Sequence, residues 1–412
     1  MKERICRYCN NSLHNTFVDL GLSPVSNAFV RKDMANNGSR FYPLHTYVCD
    51  ECYLVQLEEF EAPEEIFNQD YAYFSSFSDS WLKHAKDYVQ LMIDKYSINQ
   101  SSNVIEIACN DGYLLQYFNE QMIPVLGIEP ATNVAKVARD KGIPVETSFF
   151  GTELALDLVG KGQQADLLIG NNVLAHVPNI NDFVKGMKKI LNKEGIITLE
   201  FPHLLRLIQE NQFDTIYHEH FSYLSLITVK KIFERFGLTI FHVEELPTHG
   251  KSLRIYVKHT EDQTKLIENS VLEVELLEIE FGLNNIETYK SFSEKVKMTK
   301  RRILELLIHL KIKGKTIVGY GAPAKGNTLL NYCGIGKDFI DYVVDRNPIK
   351  QNTLLPGTLI PVFSPDEIRR TKPDILVIMP WNIKEEIIEQ MSYIKEWDGQ
   401  FVVLIPEPQV LM

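Results

Sequence analysis

The sequence predicts an α/β protein in three parts: a short cysteine-bearing segment, a doubly wound parallel sheet ended by an antiparallel strand, and a second α/β domain. Three observations carry this reading. Two CxxC pairs, Cys6/Cys9 and Cys49/Cys52, lie near the start. Strand-like apolar runs alternate with helical ones from about 75 to 260, and the rhythm restarts from 315 to the end. Between them, residues 262 to 312 hold almost no Gly or Pro and place Val271, Val274, Leu277 and Phe281 at helical spacing. The expected divisions are 1–65, 66–260, a helical connector over 261–312, and 313–412.

Length and composition agree with a chain of several domains. At 412 residues, two to four domains with ample buried cores are expected. Hydrophobic residues at 45% and charged residues at 24% are ordinary for a globular protein, and no apolar run reaches the length of a membrane span. The first residues show no apolar secretory stretch, so a cytoplasmic protein without membrane partners is expected. A net charge of -11 with no local basic cluster argues against nucleic acid as a partner. The oligomeric expectation is a monomer or small homo-oligomer.

Residues 1 to about 60 are too few for an apolar core of their own and need a staple. Each CxxC presents two thiolates from a tight turn, so Cys6, Cys9, Cys49 and Cys52 together offer the four corners of a structural Zn²⁺ site with no open position. His14 and His45 lie nearby in sequence and are read as surface histidines. Cys109 and Cys333 stand alone and are read as small packing residues.

In the central part the runs NVIEIA, VLGIEP, PVET, ADLLIG and GIITLE are strands, separated by helices opening at Gly112, at Thr132, near 151 and at 182. The stretch from Asn103 to Gly112 passes from a buried strand carrying Glu106 into a turn. Where such a turn approaches the methionine end of S-adenosylmethionine (SAM), small residues are needed. Ala108 and Gly112 meet that need, whereas Asn110 stands where a glycine is usual. Glu129, followed by Pro130, ends the next strand where an acid can accept both ribose hydroxyls. A dinucleotide-binding dehydrogenase would share that acid. The hairpin of LTIFHVEEL and SLRIYVKH separates the two, because an antiparallel ending marks the Rossmann-like class I methyltransferase sheet. After the fourth strand come Asn171 and Asn172, which either reach the amino-acid end of the cofactor or cap the helix over 182–191.

The stretch from about 200 to 228 is far longer than a minimal strand-to-helix connection. Long loops at the carboxyl ends of parallel strands are where α/β proteins build active sites. This one carries Tyr217, His218, Glu219 and His220. Methylating a carbon requires removing a proton beside a carbonyl and stabilising the oxyanion. His220 or His218 can be the base, with Glu219 or Tyr217 tuning or donating; alternatively His218 and His220 bind a metal with Glu219, or the polar groups satisfy the loop itself.

The double CxxC, Tyr71 to Trp81 (YAYFSSFSDSW), Glu106 to Leu115, Asn171 to Pro178, Tyr217 to His220 and Gly319 to Asn327 (GYGAPAKGN) together resemble the nucleotide-sugar C-methyltransferases, in particular the sugar 3-C-methyltransferases. The resemblance spans essentially the whole chain. It implies a zinc-binding N-terminal domain, a central SAM domain and a C-terminal domain that helps hold a nucleotide diphosphate keto-sugar. It further implies proton abstraction from C3 of a 4-keto-6-deoxy sugar, then methyl transfer to the enolate carbon, with Tyr217, Glu219 and His220 as the acid/base cluster and His220 as base. Cofactor contacts are expected from Tyr71, Glu106, Ala108, Asn110, Gly112, Glu129, Pro130, Asn171 and Asn172. Substrate contacts are expected from His218, Ser252, Arg254, Ala322, Lys325 and Asn327. One departure is Lys251, where family members carry a second glycine; it faces either a phosphate or solvent.

The Gly319 to Asn327 loop follows a strand and opens a helix, so its amides and Lys325 are candidates for a pyrophosphate. Asp345, closing the next strand, would meet a ribose in a true dinucleotide site. A nucleotide-sugar oxidoreductase using this Rossmann-like domain is therefore the alternative function, and a structural duplicate domain a third possibility.

Overall fold

The computed structural model describes residues 3–66, 71 and 73–411. Ala72, inside the Tyr71 to Trp81 stretch, lies outside them. The chain forms two compact units, each drawing on three stretches: Met1–His14, Val48–Leu205 and Phe221–Ile286 in the first, Asn15–Tyr47, Arg206–His220 and Glu287–Met412 in the second. The cysteine-bearing segment thus feeds both units, and the loop bearing Tyr217 to His220 belongs to the second.

The first unit is built on a seven-stranded sheet. Named by their first residues, the strands run in the order Leu238, Ser252, Leu191, Ala165, Val104, Val125, Val145. The five strands from Leu191 to Val145 are parallel, and Ser252–His259 and Leu238–Leu246 add antiparallel. The central runs are apolar on both faces, and Val104, Ile105, Leu167, Leu168 and Ile169 are fully buried, as a sheet covered by helices on both sides requires. The order reverses between Val104–Ile107 and Ala165–Asn171, and the crevice outside their carboxyl ends is where such sheets bind ligands.

Helix Asp79–Tyr96 precedes the sheet and escaped the reading by alternation. Ser78 caps it by accepting from the Trp81 amide, and Trp81, Ala85, Tyr88, Val89 and Met92 form one buried stripe. It ends at Ser97 in the left-handed conformation. Helix Ile180–Ile190 is capped by Asn179, whose side chain accepts from the Asp182 amide at 3.1 Å. Asn171 and Asn172 therefore do not cap it.

The second unit holds a six-stranded sheet in the order Val362, Val343, Ile317, Ile375, Gln400, Gln409, parallel except for the last pair. Helix Ile286–Ile312 buries Tyr289, Phe292, Val296, Ile303 and Leu307 along one face. Phe17 of strand Asn15–Ser23 stacks on Phe292 with ring centroids 4.7 Å apart. Among the described residues no helix is long and apolar enough to cross a membrane.

The four cysteines converge in the first unit. Their sulfurs all lie within 4.8 Å of one another, with Cys6–Cys52 at 3.6 Å and Cys9–Cys49 at 3.5 Å. A tetrahedral Zn²⁺ with Zn–S bonds of about 2.3 Å sets its ligands roughly 3.8 Å apart, so the cluster is sized for that ion. Both knuckles close alike, with the residue after the second cysteine left-handed: Asn10 at φ 65° and Tyr53 at φ 63°. The Gln56 side-chain amide donates to Cys6 Sγ at 3.2 Å, a bond that favours thiolate. His14 and His45 are not part of the cluster. Cys49→Ser is expected to lower bound zinc from one ion per chain to well below one, measured by elemental analysis, and to lower the melting temperature by about 10 °C.

Candidate functional site

The turn after strand Val104–Ile107 holds three left-handed residues in alternation: Ala108 at φ 58°, Asn110 at φ 51° and Gly112 at φ 74°. These are the conformations for which a glycine-rich turn uses glycine. An alanine there costs about 1–2 kcal/mol, an asparagine less. Gly112 admits no side chain, since a Cβ would collide with Ile143 Cδ1 and lie 3.2 Å from Ala138 Cβ.

Acceptors surround this turn. Glu129 receives the Asn110 amide at 3.1 Å on one oxygen and the Ala131 amide at 2.9 Å on the other, leaving each oxygen one lone pair for a ribose hydroxyl. Burial pushes its carboxyl up to about 7, against lowering by these two amides. Pro130 links Glu129 to Ala131. Glu106 is fully buried, and among the described residues neither of its oxygens has a well-formed hydrogen bond; burial holds its carboxyl well above the usual range, offset in part by the Tyr113 hydroxyl. Asn171 donates to that hydroxyl at 3.3 Å, while among the described residues its own carbonyl oxygen and the Asn172 side-chain oxygen have no hydrogen-bond partner. Unpaired buried acceptors need a donor. The ammonium and ribose hydroxyls of SAM supply donors of that kind, so the residues fit the cofactor. The Tyr71 carbonyl is held by Asn133 Nδ2 at 2.9 Å.

Two residues expected on the substrate are otherwise engaged in the sheet. Arg254 is buried and pairs with Glu200 and Glu244, each at 3.1 Å, while its guanidinium lies 4.7 Å over the Tyr88 ring. Ser252 Oγ donates to the Thr248 carbonyl at 3.1 Å. Lys251 is exposed at φ 79°, a backbone conformation that glycine adopts without strain. Sequence reasoning missed His84 and Glu200, which meet at 2.8 Å. Glu200 is completely buried, yet His84, Arg254 and Thr248 hold its carboxyl down at about 2 against the burial. No motif announces such a pair, because its members lie on separate elements.

The second unit brings Tyr217 and His220 together. His220 Nδ1 lies 2.9 Å from the Thr215 carbonyl, which can only accept, so Nδ1 carries the proton and Nε2 the lone pair. Nε2 faces the Tyr217 hydroxyl at 2.9 Å, with the two rings 4.0 Å apart. His218 turns elsewhere: its Nε2 lies 3.2 Å from the Pro43 carbonyl and its ring meets Tyr42 edge-on. The two histidines thus point at different partners, and among the described residues the cysteine cluster is the candidate metal site. Glu219 is buried and receives both of its short bonds from Asn27 Nδ2, at 2.8 and 2.9 Å. Burial pushes its carboxyl up to about 7, opposed by Asn27 and by the charge of Lys350.

The Gly319 to Asn327 loop folds onto the same stretch. Asn327 donates to the Ser26 carbonyl at 2.7 Å, and Thr328 to the Ile216 carbonyl at 3.0 Å. Lys325 donates to Asn382 at 2.8 Å, lies 4.5 Å over the Trp381 ring and faces Asp214. Trp381 donates to Asp214 at 2.7 Å. The Ala322 amide is taken by Asp345, whose other oxygen receives the Asn347 amide. A Cβ on Gly321 would lie 2.6 Å from Pro380 Cδ, and one on Gly326 3.1 Å from Met379 Cβ. These glycines allow close packing within the domain.

The antiparallel-ended sheet, the left-handed turn and the acid at Glu129 define a SAM-dependent methyltransferase. The chain belongs to the C-methyltransferase family. Three family profiles tile it: "Putative zinc binding domain" over residues 6–67, "Methyltransferase domain" over 81–243 and "C-methyltransferase C-terminal domain" over 247–406. C-methyltransferase NovU of Streptomyces niveus is 32% identical over 406 residues, covering 98% of this chain and 96% of that protein. The ubiquinone biosynthesis O-methyltransferase of Bartonella quintana is 24% identical over 99 residues, 24% of this chain and 40% of that one. Among solved structures, the SAM-bound magnesium protoporphyrin IX methyltransferase of Synechocystis PCC 6803 aligns at 14% identity and TM-score 0.33, covering 43% of this chain and 78% of that chain. A SAM-dependent methyltransferase of Mesorhizobium loti aligns at 14% identity and TM-score 0.35, covering 43% and 100%. The protein is thus a SAM-dependent C-methyltransferase with a structural zinc site.

Two outcomes follow. Glu129→Gln replaces an acceptor by an amide whose NH₂ opposes a backbone N–H, and should weaken binding of S-adenosylhomocysteine (SAH) about tenfold or more by calorimetry. Glu219 has a folded pKa raised above its unfolded value, so its ionisation destabilises the fold as pH rises from about 4.5 to about 7. Relative to wild type, Glu219→Gln should therefore gain roughly 3 kcal/mol between pH 5 and pH 8 in denaturant titrations. A difference independent of pH would show that the carboxyl ionises normally.

Proposed function

We propose that the enzyme methylates C3 of a nucleotide-linked 4-keto-6-deoxy sugar in the biosynthesis of a branched deoxy sugar, with His220 as the base. The observation that carries this is the fixed tautomer of His220: a protonated Nδ1 on the Thr215 carbonyl and a basic Nε2 beside the Tyr217 hydroxyl.

Bound SAM supplies an electrophilic methyl group on sulfur. A carbon between two others has no lone pair to meet it, so a C–H beside a carbonyl must first give up its proton. His220 Nε2 takes the C3 proton and the electron pair spreads onto the C4 oxygen. The Tyr217 hydroxyl, released from Nε2 as the imidazole is protonated, stabilises that oxygen by a hydrogen bond. SAM, which Glu129 and the 108–112 turn would hold, would supply its methyl group to the C3 carbon and leave as the neutral thioether, and the imidazolium returns its proton to solvent. Glu219 keeps the loop folded through Asn27. The sugar, its nucleotide and the ring position rest on the family resemblance and on the presence of a proton-removing couple, which methylation of a hydroxyl would not need at carbon.

Incubation with SAM and a panel of nucleotide 4-keto-6-deoxy sugars should give a product heavier by one CH₂. No mass gain with any sugar, despite SAH binding, rejects this substrate class. His220→Asn should keep its SAH affinity and lose about two to four orders of magnitude in turnover. It should also fail to exchange the C3 proton with D₂O in the presence of SAH. Unaltered exchange would move the base to another residue.

A further inference from the structure

We propose that Asn110 is a positioning residue that fastens the segment Tyr73 to Ser76 against the cofactor turn, and so retains the cofactor. The inference rests on the SAM-binding reading of that turn.

Asn110 occupies a left-handed position at φ 51° that glycine would fill without strain. What glycine lacks is the side chain, and here both ends of the amide are spent on one segment. Asn110 Oδ1 accepts from the Ser75 amide at 2.9 Å, and Nδ2 donates to the Tyr73 carbonyl at 3.2 Å. The backbone amide of the same residue donates to Glu129, the ribose acid. One residue thus ties segment, turn and acid together. Asp111 continues the seam by accepting from the Ser76 amide at 3.3 Å, and Lys141 donates to Ser76 Oγ at 3.0 Å. Asn133 holds the Tyr71 carbonyl.

Most of these bonds go to the backbone of the segment, so they fix its path whatever its side chains are. Asn110 is 7% exposed and Ser75 6%, whereas Tyr73 and Phe77 are 43% and 47% exposed. The seam is dry and the aromatic edges remain open to a protease. A turn with glycine at this position would hold the cofactor with its backbone alone and would leave the segment only the bonds from Asp111, Lys141 and Asn133.

Asn110→Gly tests this cleanly, because glycine relieves rather than adds backbone strain and the fold should persist, as checked by melting temperature. Three readouts are expected to move together: SAH affinity falls about tenfold, the KM for SAM rises more than kcat falls, and chymotryptic cleavage after Tyr73, Phe74 or Phe77 accelerates with weaker protection by SAH. Asn110→Asp keeps the acceptor for the Ser75 amide and tolerates the left-handed backbone, and should fall between wild type and Asn110→Gly. If wild type binds SAH and Asn110→Gly matches it in affinity and cleavage, the fastening role is overturned. Faster cleavage with unchanged affinity overturns it equally, since retention would not depend on the segment. Failure of wild type to bind SAH would instead overturn the cofactor reading of the turn.

Discussion

The chemistry proposed for the 214–220 loop depends on one hydrogen bond, from His220 Nδ1 to the Thr215 carbonyl. A carbonyl oxygen accepts and never donates, so this contact assigns the tautomer and leaves Nε2 as the basic nitrogen. Were the carbonyl to rotate away, either nitrogen could carry the proton and the couple with Tyr217 would lose its direction. Much of the surrounding structure serves to hold that carbonyl still. Thr215 hydrogen-bonds back to Gln212 through its amide and hydroxyl, Asp214 is gripped by Trp381, and the Ile216 carbonyl by Thr328. Trp381 and Thr328 stand on or beside regular elements of the C-terminal sheet domain, so an irregular loop inherits the rigidity of its scaffold.

The cofactor turn solves a different problem with the same economy of parts. It needs three left-handed residues in a row of five and has one glycine. Ala108 accepts the strain because its small side chain leaves the backbone approachable, and strain of this kind persists where the surrounding structure over-determines it. Asn110 tolerates the conformation better than other side chains and puts its amide to use. Gly112 stays glycine because Ile143 and Ala138 leave no room for more. Each position is thus settled by its own neighbours rather than by a demand for glycine in general.

How much of this could be read from the sequence depended on how local the cause was. The alternation of strands and helices, the antiparallel ending and the paired cysteines are local patterns, and they predicted the sheet of the first unit and the zinc cluster. Helix Asp79–Tyr96 was missed because its stripe sits ahead of the first strand, outside the alternation. The boundary at 65 follows composition and falls near the end of the zinc-binding profile at residue 67, whereas the compact units group residues 15–47 with the C-terminal stretch, a pairing that composition does not carry. The glycine-rich loop at 319–327 reads as a phosphate cradle, since glycine for close packing and glycine for ligand approach look alike in one sequence. Gly321 and Gly326 pack against Pro380 and Met379, and only coordinates separate the two uses. The His84–Glu200 pair and the Asn27–Glu219 pair were invisible for the plainer reason that each joins residues more than a hundred positions apart.

Glu219 shows why the second unit is assembled from three distant stretches. A carboxyl in a buried loop must be neutralised or paired, and its two adjacent histidines turn to other partners, Pro43 and Thr215. Asn27 arrives from the N-terminal stretch and Lys350 from the C-terminal domain, one with two hydrogen bonds and the other with charge. Asn27 in turn is fixed because the adjoining Ser26 carbonyl receives Asn327, from the helix whose Thr328 also holds Ile216. The same helix therefore steadies both sides of the 214–220 loop, once through Ile216 and once through the segment that pairs Glu219. A loop with so many buried polar groups is stable only if all three stretches are present together, and the interleaving of the chain follows from that requirement.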